Sequence, residues 1–331
     1  MHPMFRTVAV SLLPVLMAAP SAAQGSPDIA ARAFPDRSVR MIVPFPPGGP
    51  TDLVARIFAQ KLSEHWGQPV VVENRAGGNS TIGAQQAAMS APDGYTLLVA
   101  MDTTLVMNPI TANDLPYNAA KDFAPISLAA QNTSLLIVRA DDGPKTAREL
   151  IARAKANPGK LNYGAGTITT RLAGYLFSKM AGIDTVFIPY KGSAEVVQGL
   201  LTRSIDFSVD GVSASLPLIQ EGKLRALAKL NSRPLASLPD LQPLAIAADL
   251  PGLGDISTWS GLVAPAGTPD AIVDKIQIAV AKVAADPEVN AKLSKFGISA
   301  VSTTPAEFNS YVRQERDRWS KVFRESGIKL D

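Results

Sequence analysis

The chain has 331 residues, 46% hydrophobic, 18% charged and 6% aromatic, which suits a soluble globular protein of two ordinary domains. Lys plus Arg number 32 against 29 for Asp plus Glu, with the signs interspersed, so the basic stripe of a nucleic-acid binder is missing. The absence of cysteine excludes disulfides, thiolate metal sites, a cysteine nucleophile and a lipid anchor on an N-terminal Cys.

In chain order, the first predicted element is a targeting segment. Arg6 precedes an apolar run at 7–19 (TVAVSLLPVLMAA), and Ser21 and Ala23 stand at the spacing a signal peptidase reads. Cleavage after Ala23 is expected, making 1–23 a signal peptide. A membrane anchor is the weaker reading, because the run falls short of the roughly 20 apolar residues of a span and Pro20 follows it.

Strand and helix signals then alternate. Val39–Val43 reads as a strand, and Thr51 or Asp52 can cap a helix with Leu53, Val54, Ile57, Phe58 and Leu62 at helical spacing. Val70–Val72 is a second strand, the Gly-rich stretch Asn74–Ser80 leads to a helix near Thr81, and Tyr95–Ala100 is a third strand. A second block repeats the grammar: strand Leu135–Val138, then a capping box of Thr146 and Glu149 on a helix through Ala156. Strand Leu161–Tyr163, helix Thr170–Met180, strand Thr185–Tyr190, helix Ala194–Leu201 and strands Ile205–Val209 and Leu224–Leu230 follow, with an irregular connection from Asn231 to Asp255. The tail is helical, opening at Thr268-Pro269 and again at a Thr304–Glu307 capping box. The expected fold is α/β in two lobes, each a central mostly parallel sheet flanked by helices: 24–130 plus 257–331 in lobe 1, and 131–256 in lobe 2.

Ligands of such sheets bind beyond the carboxyl ends of the strands. In lobe 1 the loops there are Pro44–Thr51, Asn74–Ser80 and Asp102–Thr104. Gly48, Gly49, Gly77 and Gly78 would allow close backbone approach, and Thr51, Thr81, Thr103 and Thr104 add hydroxyls. In lobe 2 the loops are Gly164–Thr170, Tyr190–Ser193 and Asp210–Ser213. Helix N-termini after these loops would favour an anion. Each loop alone reads better as a tight turn, and Arg171 alone better as a solvated side chain, whereas three converging loops favour a site. Asp210 suits either accepting a bond from a ligand or capping a turn. Catalytic signatures are missing: no H-E-x-x-H, G-x-S-x-G, Walker A or strand-following G-x-G-x-x-G, and His65, late in a helix, is badly placed for a triad. No cofactor and no metal are expected.

Nine segments, taken together, resemble the Bug family, the periplasmic receptors of tripartite tricarboxylate transporters. They are Val43–Asp52, Glu73–Gly78, Ile82–Ala84, Pro92–Leu98, Lys121–Pro125, Ala154–Leu161, Pro189–Ser193, Gly222–Ala228 and Ala264–Pro269, in order along nearly the whole mature chain. The resemblance implies a type II Venus-flytrap binding protein without catalytic activity, working in the periplasm with membrane permease subunits. It implies that Phe45, Pro47, Gly48, Gly49, Thr51, Asp52, Gly77, Gly78, Thr81, Ile82 and Gly83 hold one ligand carboxylate, with Thr103 and Thr104 beside them. Lobe 2 would read the other end through Ala165, Gly166, Thr167, Thr170, Arg171, Tyr190, Gly192, Ser193 and Asp210. Where the family usually has a Ser/Gly-rich loop ending in His, this chain has Tyr163–Arg171, which puts Arg171 in the His place. A monomer binding a small organic carboxylate is expected, and a dicarboxylate if Arg171 meets a second charge. Two other outputs stay open: presentation of ligand to a membrane sensor kinase, and, as a poor second class, an exported α/β hydrolase.

Overall fold

The structure is a computed structural model describing residues 33–251, 253 and 256–326, so the targeting segment at 1–23 lies outside the described residues. The first lobe runs β1 (Val39–Val43), α1 (Pro50–Trp66), β2 (Val70–Asn74), α2 (Thr81–Ala88), β3 (Thr96–Met101), a π turn over Thr103–Met107, α3 (Asn108–Thr111) and β4 (Phe123–Asn132). The second runs β5 (Ser134–Arg139), α4 (Ala147–Ala156), β6 (Leu161–Ala165), α5 (Ile168–Ala181), β7 (Thr185–Pro189), α6 (Ser193–Leu201), β8 (Phe207–Gly211), α7 (Val212–Gln220), β9 (Leu224–Lys229) and α8 (Leu244–Ala247). The chain then returns to the first lobe as β10 (Thr258–Pro265), α9 (Asp270–Ala285), α10 (Pro287–Ser294), β11 (Ile298–Ala300) and α11 (Pro305–Ser326).

The two sheets share one plan. The first has the order β11-β4-β10-β3-β1-β2 and the second β7-β6-β8-β5-β9. In each, three parallel strands lie beside one strand that runs antiparallel to both of its neighbours: β10 between β3 and β4, and β5 between β8 and β9. Both sheets are therefore mixed where mostly parallel ones are expected, because in each a strand that has crossed from the other lobe turns the pairing antiparallel; in the first sheet β4 and β11 continue that antiparallel pairing. The crossings lie at Asn132–Ser134 and between β9 and β10. Side-chain amides tie them together: Asn132 donates to Thr258 Oγ1, and Asn231 donates to Thr133 Oγ1 and Ser257 Oγ.

The C-terminal helices pack on the first lobe. Trp259 of β10, fully buried, meets Phe308 and Tyr311 of α11 edge-on, and Phe308 covers Gly261, where any Cβ would collide with its ring. His65 is exposed at the end of α1.

Several expected details are corrected. α1 begins at Pro50 with Gly49 as its N-cap, so Thr51 and Asp52 sit inside the helix; Pro at the first position needs no N–H, which lets the helix start early. Asp52 instead reaches back to accept the Gly48 N–H at 3.1 Å. The Thr146 side chain caps α4 as expected, but Glu149 accepts the N–H of Lys145, so the reciprocal box is open. The reciprocal box at Thr304 and Glu307 does form. Pro269 is the N-cap of α9, and the Thr268 hydroxyl donates to the Pro265 carbonyl. Strands β4, β10 and β11 and helices α3 and α7 are not among the elements expected from the sequence, and α8 forms inside the expected irregular connection from Asn231 to Asp255. β10 is buried along its whole length and β4 over most of it, which erases the two-residue alternation, while Pro125 and Pro217 interrupt β4 and α7.

Candidate functional site

Between the lobes lies a cleft of about 580 Å³, counting its open mouth. The N-cap residues of α1, α5, α6 and α7 (Gly49, Thr167, Gly192 and Gly211) all line it, so four helix N-termini from both lobes converge on one space. The first N–H groups of a helix have no intrahelical acceptor and carry the positive end of its dipole, so this convergence favours an anion. Hydroxyls of Thr51, Thr167, Thr170, Ser134, Ser193 and Thr258 line the same walls, whose remainder is largely apolar, with Phe45, Pro46, Pro47, Pro50 and Met101. No Lys, Arg or His is among the described residues lining this cleft.

The lobes meet closely here. A Cβ on Gly192 would lie 3.4 Å from Pro46 Cδ, and one on Gly211 only 2.5 Å from Pro50 Cγ. Within lobe 2, a Cβ on Gly166 would lie 2.8 Å from the Gly192 carbonyl carbon, so the two loops approach this closely because residue 166 is glycine. Away from the cleft, Thr169 of α5 donates 2.6 Å to Asp102 Oδ2, a fully buried hydrogen bond from one lobe to the other.

Three carboxylates matter. Burial raises the Asp52 carboxyl, but hydrogen bonds from Arg56, Asn74 and Gly48 outweigh it and hold the group below its ordinary value. Burial pushes Asp210 up to about 6 against the bonds from the Ser193 hydroxyl and the Gly211 N–H, each 2.7 Å and both to Oδ1. Its Oδ2 is buried with no hydrogen-bond partner. Burial likewise pushes Asp102 up to about 7, against the Thr169 bond and with a contribution from the charge of Glu315; Asp102 Oδ1 is also unpartnered.

Of the residues singled out from the sequence, Phe45, Pro47, Gly49, Thr51, Asp52, Gly166, Thr167, Thr170, Gly192, Ser193 and Asp210 line the cleft together. The others stand elsewhere, for identifiable reasons. Gly48 spends its N–H on Asp52. Gly77 and Gly78 hold the positive φ angles of a loop whose carbonyls accept the Thr81 and Ile82 N–H groups, so that helix N-terminus is already occupied. Gly83 packs against the loop backbone, where a Cβ would lie 2.8 Å from both the Arg75 carbonyl and Pro44 Cβ. Thr104 is fully buried and donates to Ser80 Oγ; Asn108 and Tyr117 complete a network that props the Gly77–Ser80 loop, and Thr103 is buried beside it. Ala165 is buried at the end of β6, and Tyr190 lies against Gly164 and Gly199 within lobe 2. Arg171 stacks on Phe187, its guanidinium carbon 4.5 Å from the ring centroid, and is not among the lining residues. Sequence reasoning did not single out Pro46, Pro50, Met101, Ser134, Ala194, Glu195, Gly211 and Thr258; Pro46, Pro50 and Gly211 lie within loops it named, Ala194 and Glu195 open the helix after one of them, and Met101, Ser134 and Thr258 sit on β3, β5 and β10, the strands at the lobe crossings or next to them.

Comparison with known proteins gives consistent matches. Residues 54–328 match the tripartite tricarboxylate transporter family receptor. BugT of Bordetella pertussis is 33% identical over 91% of this chain and 93% of its own length. Among solved structures, Rpa4515 of R. palustris with adipate superposes with a TM-score of 0.86 at 32% identity, covering 89% of this chain and 99% of that one. MatC from Rhodopseudomonas palustris with bound malate gives 0.80 at 30%, covering 87% and 99%.

Proposed function

The chain belongs to the tripartite tricarboxylate transporter receptor family, and from that premise we propose that it is a periplasmic receptor which captures a small organic carboxylate and delivers it to the membrane subunits of such a transporter. The family and fold are those of solute-binding proteins. The observation that carries the reading is the convergence of four helix N-termini on a cleft with no basic side chain among its described lining residues. A carboxylate there is held by backbone N–H groups and hydroxyls, and the apolar walls take its carbon chain. Neighbours with adipate and malate support a dicarboxylate as the ligand class. Arg171, stacked on Phe187, gives that idea no support, so a second carboxylate would be met by hydroxyls and helix ends.

The test is calorimetry and thermal shift with small mono- and dicarboxylates beside their methyl esters. Acids are expected to bind and esters to fail; a ligand at about 100 times its Kd stabilises by about 2.7 kcal/mol. Equal binding of acid and ester would overturn the reading. Delivery is tested by uptake into vesicles holding the membrane subunits, which should require the loaded receptor.

A further inference from the structure

Among the described residues lining the cleft, one buried side-chain acceptor is used by neither the fold nor the anion site. Asp210 is 3% exposed and lines the cleft, with Oδ1 receiving Ser193 and Gly211 and Oδ2 receiving nothing. The other two carboxylates in the lining are engaged: Asp52 with Arg56, Asn74 and Gly48, and Glu195 with the N–H of Lys191. A buried carboxylate oxygen without a donor costs free energy, and among the described residues no basic side chain lines the cleft to relieve it. A ligand group that donates a hydrogen bond would relieve it. A plain ionised carboxylate would instead face like charge.

We propose that the ligand is a carboxylate carrying a hydroxyl or ammonium group on its carbon chain, and that Asp210 Oδ2 accepts the hydrogen bond from that group. This rests on the carboxylate-receptor reading above and names the ligand class within it. Asp210 sets specificity, because an analogue without the donor leaves the oxygen orphaned when the cleft closes. Helix ends hold the carboxylate of the same ligand, so the site makes opposite demands on the ligand's two groups.

The experiment is calorimetry at neutral pH with three matched series: propionate, lactate and alanine; succinate, malate and aspartate; adipate with its 2-hydroxy and 2-amino derivatives. In at least one series the donor-bearing acid should bind about tenfold or more tighter than the unsubstituted one. Asp210→Asn, which puts an N–H₂ donor where Oδ2 stands, should shrink that gap to about threefold or less while the unsubstituted acid keeps its affinity. The wild-type comparison decides even if the variant does not fold. Unsubstituted acids binding as tightly as their partners in every series would overturn this inference and leave the carboxylate reading intact, as would equal losses for both acids in Asp210→Asn. Failure of every acid to bind would overturn both.

Discussion

The two lobes place a buried aspartate at the same point of the same plan, directly after β3 in one and near the end of β8 in the other. Asp102 and Asp210 each accept a hydroxyl from a helix N-terminus, and each keeps one oxygen without a partner. Their uses differ because their donors do. Ser193 belongs to the same lobe as Asp210, so that carboxyl stays in the cleft wall, buried and with one oxygen unpartnered. Thr169 belongs to the opposite lobe, so Asp102 becomes an interlobe tie away from the cleft. The surrounding loops diverge in parallel. Lobe 2 brings all three of its strand-end loops to the cleft, whereas lobe 1 brings mainly the Pro44–Thr51 loop and buries the other two in the Ser80–Thr104–Asn108–Tyr117 network. Identical topology thus does not assign identical roles to equivalent loops. Which hydroxyl reaches which carboxylate does.

The strongest way to break this comparison is to remove the charge at Asp102. Its folded-state value of about 7 lies above the unfolded 3.8, so the folded state binds the proton more tightly. The cost of burying the ionised form is therefore missing below about pH 4, grows as pH rises through the interval, and is complete above about pH 7. Tyr311 and Glu315 of α11 are the titratable groups facing it, and Glu315 adds to the cost. Asp102→Asn keeps an acceptor for Thr169 and should raise stability at pH about 8 by up to roughly 4 kcal/mol, with little gain near pH 4, in urea melts. A gain independent of pH would show that Asp102 is not the titrating group.

Closure is the next target. Gly211 has a φ of −67° that alanine accepts, so Gly211→Ala changes only the space toward Pro50, where the new Cβ would lie 2.5 Å from Cγ. Overpacking of this kind costs about 1–3 kcal/mol, and it falls on the closed state alone. Ligand affinity should drop about 10- to 100-fold, and small-angle scattering with ligand should show a wider molecule than wild type. Unchanged affinity would place the closing contact elsewhere.

Smaller effects test the helix ends. Thr167 and Thr170 form a reciprocal box at the start of α5, with Thr167 Oγ1 and Thr170 N 3.2 Å apart. Thr167→Ala should cost about 1 kcal/mol of stability and loosen the N-terminus that faces the cleft, read as a several-fold loss of carboxylate affinity.

How legible all this was in the sequence depends on the kind of signal. Strands β1, β2 and β7 announce themselves by β-branched runs, β6 by its place between a helix end and a Gly-rich loop, and the loops after these strands by Gly, Ser and Thr, so half the cleft could be named. The strands at or near the crossings could not, since β4 and β10 are buried too thoroughly to alternate. Nor could the fate of Gly77 and Gly78: they look like glycines of a binding loop, yet their positive φ angles serve a turn that satisfies its own helix. Sequence shows that a backbone group can be exposed. Only the structure shows whether a neighbour has already taken it.

The smallest effect belongs to the residue that the sequence made most suggestive. Arg171 is the only basic residue in the Gly164–Arg171 loop, which is why a dicarboxylate partner suggests itself. Its guanidinium lies over Phe187, whose strand β7 is the edge of the second sheet farthest from β9. A cation over a half-exposed ring contributes about 0.5–1 kcal/mol, so Arg171→Ala should lower stability by that amount. Were Arg171 reading a second carboxylate in the closed cleft, its loss would instead cost about 2–5 kcal/mol of affinity for dicarboxylates and little for monoamides. Calorimetry of the variant with malate and its monoamide separates the two. Affinity within about twofold of wild type for both ligands is the expected result, since a charge held on a ring at the sheet edge makes no contact in the cleft. A selective loss for malate would mean that Arg171 leaves Phe187 when ligand arrives, and that lobe 2 recognises a second charge after all.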